Sequence, residues 1–271
     1  MPTWIATDPA GYEKYIGRWS QQLAPAFVEF AGVKPGERVL DVGCGTGNLT
    51  AALGDASVAS ATGIDVSAPY VAYARHRTRH RAVTFEIGDA LNLPYPDGTF
   101  DRAVSMLALD VFPDPARGLS EMRRVTRPGG VVAALVNDFR SGFAAFSMLW
   151  DTAAALDPRA GEVRDEMVAK PLGWLGGLVS LFRAAGFADA SEDHLSTVFR
   201  YASFEDYWAS FLAGQGKWGA YVMSLADGPR ATLEKKMRAA YLCGMPPGPR
   251  ALTNWFWVVR GAVPLPGEGT Q

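Results

Sequence analysis

The stretch VLDVGCGTGNLT, from Val39 to Thr50, limits what this chain can fold into more than any other segment. An apolar run, Val39–Val42, enters a turn in which Gly43, Gly45 and Gly47 alternate, and an Ala/Leu-rich segment starting at Leu49 leaves it. Bounded by Pro35-Gly36 before and glycines after, the run reads as a buried strand and the exit as a helix. Glycine reaches φ > 0 without steric cost and has no side chain to hold a ligand off. A turn this bare between strand and helix is where a ligand lies against backbone.

The alternation continues down the chain. Strands are expected at Ala61–Ser67, Val83–Ala90, Thr99–Leu109 and Val131–Asp138. Helices are expected with Pro69 near a first turn and from Pro115 to about Thr126, the latter halted by Pro128 and two glycines. Strands that are apolar nearly throughout and alternate with helices make a parallel sheet covered on both faces. The second half is less regular. A helix is expected over Leu175–Phe187, and strands over SEDHLSTVFRYAS (191–203) and NWFWVVRG (254–261). Between those strands Phe204–Arg250 is long, aromatic and expected to be helical, and segments of that length tend to cover binding sites.

Asp65 closes the second expected strand about twenty residues beyond the loop, where an acid takes ribose hydroxyls, so the ligand is expected to be a nucleoside. The dinucleotide fingerprint G-x-G-x-x-G does not fit. Gly43-x-Gly45-x-Gly47 brings the last glycine one residue early, Asp41 precedes the loop by two, and no Lys or Arg stands close in sequence to meet a pyrophosphate. A small zwitterion, such as the methionine part of S-adenosylmethionine (SAM), suits the loop better.

Four segments in order, VLDVGCGTG, GIDVS, GDALNLPYPDGTFD and LSEMRRVTRPGGVV, carry a further reading. Together they resemble the class I SAM-dependent methyltransferases, above all the small-molecule group that includes the ubiquinone/menaquinone-biosynthesis enzymes, densely from Val39 to about Val136. The resemblance implies an α/β, Rossmann-like, doubly wound and mostly parallel seven-stranded sheet with an antiparallel last strand, for which NWFWVVRG is the candidate, and a helical cap formed by insertions. It implies SAM as cofactor, with S-adenosylhomocysteine (SAH) as product. Gly43, Gly45 and Gly47 would approach the methionine portion, Asp65 the ribose hydroxyls, and Asp89 with Ala90 the adenine amino group. Val66 would pack on the adenine, and Met106 and Leu107 would line the floor. In many such enzymes a short N-terminal helix covers the pocket; here Tyr15, Arg18 and Trp19 would close it, Arg18 meeting the methionine carboxylate bidentately. The expected organisation is an N-terminal helical segment over the cofactor pocket (1–34), a SAM-binding core (35–200), a helical, aromatic substrate cap (201–250), and the last strand with a tail (251–271).

Composition narrows the partners. Lys+Arg 26 against Asp+Glu 28 leaves no basic excess, so no nucleic-acid partner is expected. Two cysteines, Cys44 and Cys243, make neither a disulfide framework nor a metal cluster. The N-terminal residues lack the apolar core of a signal peptide and no window suits a membrane span, so a cytoplasmic protein is expected. Cys44 reads as a small buried residue, and His76 with His80 as a solvated helix face whose neighbours Arg75, Arg77, Arg79 and Arg81 would repel a metal. Asp110 with Asn137-Asp138 loosely resembles the carboxylate/amide set of metal-dependent O-methyltransferases, but strand ends explain both acids and no metal is expected. His194 is the weak candidate for a catalytic base. Trp150 and Trp174, and Tyr201, Phe204, Tyr207, Trp208, Phe211, Trp218 and Tyr221, suit an aromatic, apolar or amine small-molecule acceptor, although most of these rings are expected to form the cap's own core. Methyl transfer to an O, N or C atom competes with a nucleotide-dependent oxidoreductase, a non-catalytic SAM-binding module and aminopropyl transfer.

Overall fold

A computed structural model describes residues 7–267. The chain enters through a short helix α1 (Pro9–Tyr12), passes a π-helical turn, Glu13–Gly17, and continues as α2 (Arg18–Phe30). Then come β1 (Arg38–Val42), α3 (Asn48–Asp55), β2 (Ser60–Asp65), α4 (Ala68–Arg77), β3 (Val83–Ile87), β4 (Phe100–Met106), α5 (Pro115–Val125) and β5 (Thr126–Asn137). Helices α6 (Ala144–Ala154), α7 (Pro158–Val168) and α8 (Gly177–Ala184) precede β6 (Ala188–Tyr201). Helices α9 (Phe204–Leu212), α10 (Gly216–Ser224) and α11 (Asp227–Leu242) precede β7 (Arg250–Ala262).

The seven strands form one sheet in the order β3-β2-β1-β4-β5-β7-β6. β7 runs antiparallel to both its neighbours, and the other six strands are parallel to one another. The strand reversal between β1–β3 and β4 places the glycine turn at the switch in strand order, where α/β sheets open a crevice at their carboxyl ends.

Alternate residues of each strand feed opposite faces. Val39, Val104, Ala133 and Leu135 join Leu23 and Phe27 of α2, Leu53 of α3 and Leu149 of α6 in one core. Leu40, Ala103, Val132 and Ala134 join Leu119 and Met122 of α5 and Phe182 of α8 in the other. That period of two, with helices on both sides, is what makes the sheet doubly wound. Arg102, 5% exposed on β4, holds Glu37 by two hydrogen bonds, at 2.9 and 3.0 Å, and reaches the Ala31 carbonyl that ends α2. This fork fixes the N-terminal helix to the sheet.

Two elements depart from the pattern expected of the sequence. Strand β5 starts at Thr126 rather than Val131: α5 ends at Val125, as expected, and Thr126 already pairs with Phe100 of β4. A residue preceding proline is pushed out of the helical region, so Arg127 is extended and the strand starts before the glycines. Helices α6 and α7 also fill a stretch for which only Trp150 had been singled out. Asp157, accepting from the Arg159 amide with Pro158 in the first turn, is a readable N-cap for α7.

Candidate functional site

The turn between β1 and α3 has the left-handed backbone that its composition demands: φ is +77° at Gly43, +54° at Gly45 and +86° at Gly47. The three glycines are not equivalent. A Cβ on Gly43 would lie 2.5 Å from Ala108 Cβ, and one on Gly47 would meet the Phe85 ring at 2.8 Å, so packing requires both. A Cβ on Gly45 would find nothing nearer than the Tyr12 hydroxyl and Tyr70 Cδ2, both at 3.9 Å. Gly45 is bare toward open space, as a ligand-facing position should be.

Asp65, at the end of β2, is bound by the loop it faces. Its Oδ2 accepts from the Gly45 amide at 2.9 Å and its Oδ1 from the Ser67 amide at 2.8 Å. Burial pushes the carboxyl up, and the two amides pull it down. A carboxylate oxygen has two acceptor directions, so each oxygen keeps one for a vicinal diol. Val66 beside it is 74% exposed, an apolar surface left uncovered at the mouth of an otherwise buried strand end. After β3, Asp89 uses Oδ1 to accept from the Leu91 amide at 2.9 Å, and Ala90 is half-buried. After β4, Met106 is buried and Leu107 holds φ +60°, an unusual conformation for a non-glycine residue. The Leu107 amide donates to the Leu135 carbonyl of β5 at 2.8 Å. Gly43, Gly45, Gly47, Asp65, Val66, Asp89, Ala90, Met106 and Leu107 therefore lie at the carboxyl ends of β1 to β4, along one edge of the sheet that offers bare backbone, carboxylate acceptors and an apolar face.

The N-terminal segment docks on this loop through residues the sequence did not single out. Thr46 Oγ1 donates to Glu13 Oε1 at 2.6 Å, and Arg77 pairs with the same oxygen at 3.0 Å. Asn48 Nδ2 donates to the Gly17 carbonyl at 2.9 Å and to Ser20 Oγ at 2.8 Å. Tyr15 is buried against Phe146 and Trp218, at ring distances of 5.1 and 5.9 Å. Arg18 points toward the cap: Nη1 pairs with Asp206 of α9 at 2.8 Å, and the guanidinium lies over the Trp19 ring at 4.4 Å. The charged residue of the segment that bonds the glycine loop is thus Glu13, not Arg18. An arginine does approach the loop, Arg77 on α4, but it is paired with Glu13 at 3.0 Å rather than left to meet a pyrophosphate.

Asp41, 1% exposed on β1, accepts from Thr50 Oγ1 at 2.6 Å. Burial pushes its carboxyl up to about 7, against the pull of that hydrogen bond. Unfolded carboxylates titrate near ~4, so the chain takes up a proton on folding between about pH 4 and 7, and this contribution to stability falls as pH rises through that window. Asp41→Asn is expected to reduce the slope by on the order of a few kcal/mol across the window, read from urea midpoints at each pH. An unchanged slope would discard Asp41 as its source.

His194 lies on β6, separated from β4 by β7 and β5, exposed and stacked on Trp255 at 4.7 Å. The structure does not bring it to the glycine loop. Among the described residues no group of three His, Cys, Asp or Glu is arranged to hold a metal ion. Cys44 is buried, and its thiol is pushed up chiefly by that burial. Most of the cap aromatics, including Tyr201, Phe204, Tyr207, Trp208 and Phe211, are buried against one another. Trp150 and Trp218 do more: with Phe139, Phe143, Phe146 and Met167 they line a cavity of about 90 Å³ beside Arg140 and Arg164.

Six parallel strands with an antiparallel seventh, a glycine turn after β1 and an acid closing β2 define a Rossmann-like, doubly wound domain. Residues 40–134 match the family model described as a methyltransferase domain. Among curated proteins the chain is 35% identical over 130 residues to the methyltransferase GfsG of Streptomyces halstedii, covering 46% of each chain. It is 45% identical over 97 residues to the demethylmenaquinone methyltransferase of Corynebacterium kroppenstedtii, covering 36% of this chain and 40% of that one. The chain thus spans about half or less of the length of these relatives. The phosphoethanolamine N-methyltransferase 2 of Haemonchus contortus, solved in complex with SAM, superposes with a TM-score of 0.58 at 17% identity, over 95% of this chain and 58% of that one, which shows a shared fold.

Proposed function

We propose that this chain transfers a methyl group from SAM to a small organic acceptor. The observation that carries the reading is the pairing of Gly45, bare toward open space, with Asp65, whose two oxygens are fixed by backbone amides and retain acceptor capacity. SAM, when bound, supplies an electrophilic methyl on a sulfonium that needs no further activation. What the chain must add is alignment and exclusion of water.

Gly43, Gly45 and Gly47 present backbone to the methionine portion, Asp65 holds the ribose, Val66 covers the adenine and Asp89 with Ala90 flanks its amino group. Met106 and Leu107 form the floor. Tyr15, packed on Phe146 and Trp218, closes the site from the N-terminal side and joins it to the aromatic cavity. That cavity is far smaller than the ~300 Å³ of an ordinary ligand pocket, so it takes a single ring or short apolar group of the acceptor. Arg18 serves the cap through Asp206 in this arrangement. In organisation, residues 1–34 cover the cofactor, 35–200 bind it, 201–250 cap the acceptor, and 251–271 carry the last strand. No described helix is long and apolar enough to cross a membrane. Both thiols are free, and the cytoplasm is the proposed compartment.

Calorimetric titration with SAM, SAH and NAD⁺ tests the reading. Micromolar binding of both sulfur nucleosides and none of NAD⁺ is expected. Binding of NAD⁺ alone would move the chain to the oxidoreductases, and binding of neither sulfur nucleoside to folded protein would end the methyl-transfer reading.

A further inference from the structure

The buried side-chain oxygens without a hydrogen-bond partner among the described residues include two whose side chains bond to each other beyond the glycine loop, Oδ1 of Asp110 and Oδ1 of Asn137. Asp110 is 6% exposed, in the short 3₁₀ turn Leu109–Val111 that follows β4, and Asn137, 8% exposed, ends β5. Asn137 Nδ2 donates to Asp110 Oδ2 at 3.3 Å. Because an ionised carboxylate only accepts, the amide must turn its NH₂ toward Asp110 and its oxygen away. Leaving a polar oxygen without a donor in a dry site is costly, so such an atom calls for an explanation. Asp138, next in the chain, shows the contrast: both of its carboxylate oxygens accept hydrogen bonds, Oδ1 from the Arg140 and Ser141 amides and Oδ2 from the Ser141 hydroxyl.

The place is telling. Ala108, two residues before Asp110, is the residue that Gly43 packs against. Phe139, two residues beyond Asn137, lines the aromatic cavity. The pair is thus flanked along the chain by a residue packed on the proposed cofactor loop and by one that lines the proposed acceptor pocket. We infer that the acceptor presents a neutral hydroxyl at this point, its O–H donating to Asp110 Oδ1, with Asp110 as the catalytic residue that takes its proton and Asn137 as the positioning residue that donates to Asp110 Oδ2. The inference rests on the methyl-transfer reading and narrows it to O-methylation.

The surroundings select a hydroxyl over the other acceptors. A carbonyl or ether has no hydrogen to donate to Asp110 Oδ1 and would set its lone pairs against that carboxylate oxygen. An ammonium would meet three cations nearby: Lys170 Nζ, which donates to the Asp110 carbonyl at 3.2 Å, and Arg140 and Arg164 on the cavity wall. The titratable groups that act on Asp110 are Lys170, from the turn after α7, and Tyr15, from the N-terminal segment. Burial raises the Asp110 carboxyl, and Lys170 and the Asn137 amide oppose it, so the group is more basic than an ordinary carboxylate. In the reaction the acceptor oxygen gives its proton to Asp110 Oδ1 and its lone pair to the methyl carbon, whose bond to sulfur breaks with the electron pair left on sulfur. Asp110 then releases the proton to solvent.

The test uses the full chain saturated with SAH, where no turnover occurs, and two probes of one ring each, 4-nitrophenol and its methyl ether 4-nitroanisole. The phenol is expected to bind about tenfold more tightly than the ether. Asp110→Asn, which keeps shape and removes the charge, is expected to abolish that preference while SAH affinity stays unchanged. Asn137→Leu is expected to lose part of the preference, and it carries the test should Asp110→Asn fail to fold. Equal binding of the two probes, binding of neither, or a preference that survives in both variants would overturn the inference. Loss of SAH binding by the unaltered protein would instead strike the methyl-transfer reading itself, so the two failures are distinguishable.

Discussion

Asp65→Ala is expected to weaken SAH binding by about a hundredfold or more while the chain stays folded. The size follows from the number of bonds at stake. A ribose diol would take one charge-assisted hydrogen bond on each carboxylate oxygen, and two such bonds at ~1.5–3 kcal/mol apiece are worth at least two decades of affinity. Alanine also frees the Gly45 amide, now fixed at 2.9 Å from Oδ2, so the loop loses its tether to β2. Stability should suffer little, because burial already disfavours the charged carboxylate and the variant relieves that cost. Asp65→Asn should do nearly as badly: an amide has one acceptor oxygen, and its NH₂ would face either the Gly45 or the Ser67 amide. Calorimetry with SAH, beside a thermal melt that confirms the fold, reads the result. A loss smaller than about fivefold, less than 1 kcal/mol, would remove Asp65 from the ribose site.

How much of this was legible in the sequence depends on how local the signal was. The glycine turn, Asp65 and the apolar strands announce themselves within a few residues, because burial on both faces leaves a continuous apolar run. The last strand, β7, was visible as NWFWVVRG, but its full span starts at Arg250, where polar residues hide the pairing with β6. The α6 helix lies in an apolar stretch with no cap to mark it; Phe143, the residue before its first turn, has no side-chain acceptor. Arg18 shows the limit from the other side. Its partner Asp206 lies 188 residues away, and no local pattern signals a pairing at that distance. Asp110 and Asn137 were noticed as strand ends, but their hydrogen bond depends on the register that puts Met106 opposite Leu135. Strand ends become a site only when the sheet brings them to one edge.

The glycine loop supplies the second large effect, and it separates a structural turn from a binding one. Gly43→Ala and Gly45→Ala place the same methyl on two left-handed positions of one turn. At Gly43 the methyl lies 2.5 Å from Ala108 Cβ, a side chain with no flexible end to move aside. Strain of ~1–2 kcal/mol from the backbone adds to ~1–3 kcal/mol of overpacking, so this variant should be destabilised by about 3 kcal/mol and lose SAH binding with it. At Gly45 the nearest atoms are 3.9 Å away, so only the backbone strain of ~1–2 kcal/mol applies. The methyl would instead occupy the space through which the methionine portion approaches. Gly45→Ala should therefore stay folded, with a modestly lowered thermal midpoint, and bind SAH about a hundredfold more weakly, a loss of ~3 kcal/mol at the ligand. Urea unfolding and SAH titration on the two variants separate the effects. If Gly45→Ala bound SAH as the unaltered protein does, the loop's glycines would serve the turn alone, and the ligand would have to lie elsewhere along the carboxyl edge of the sheet.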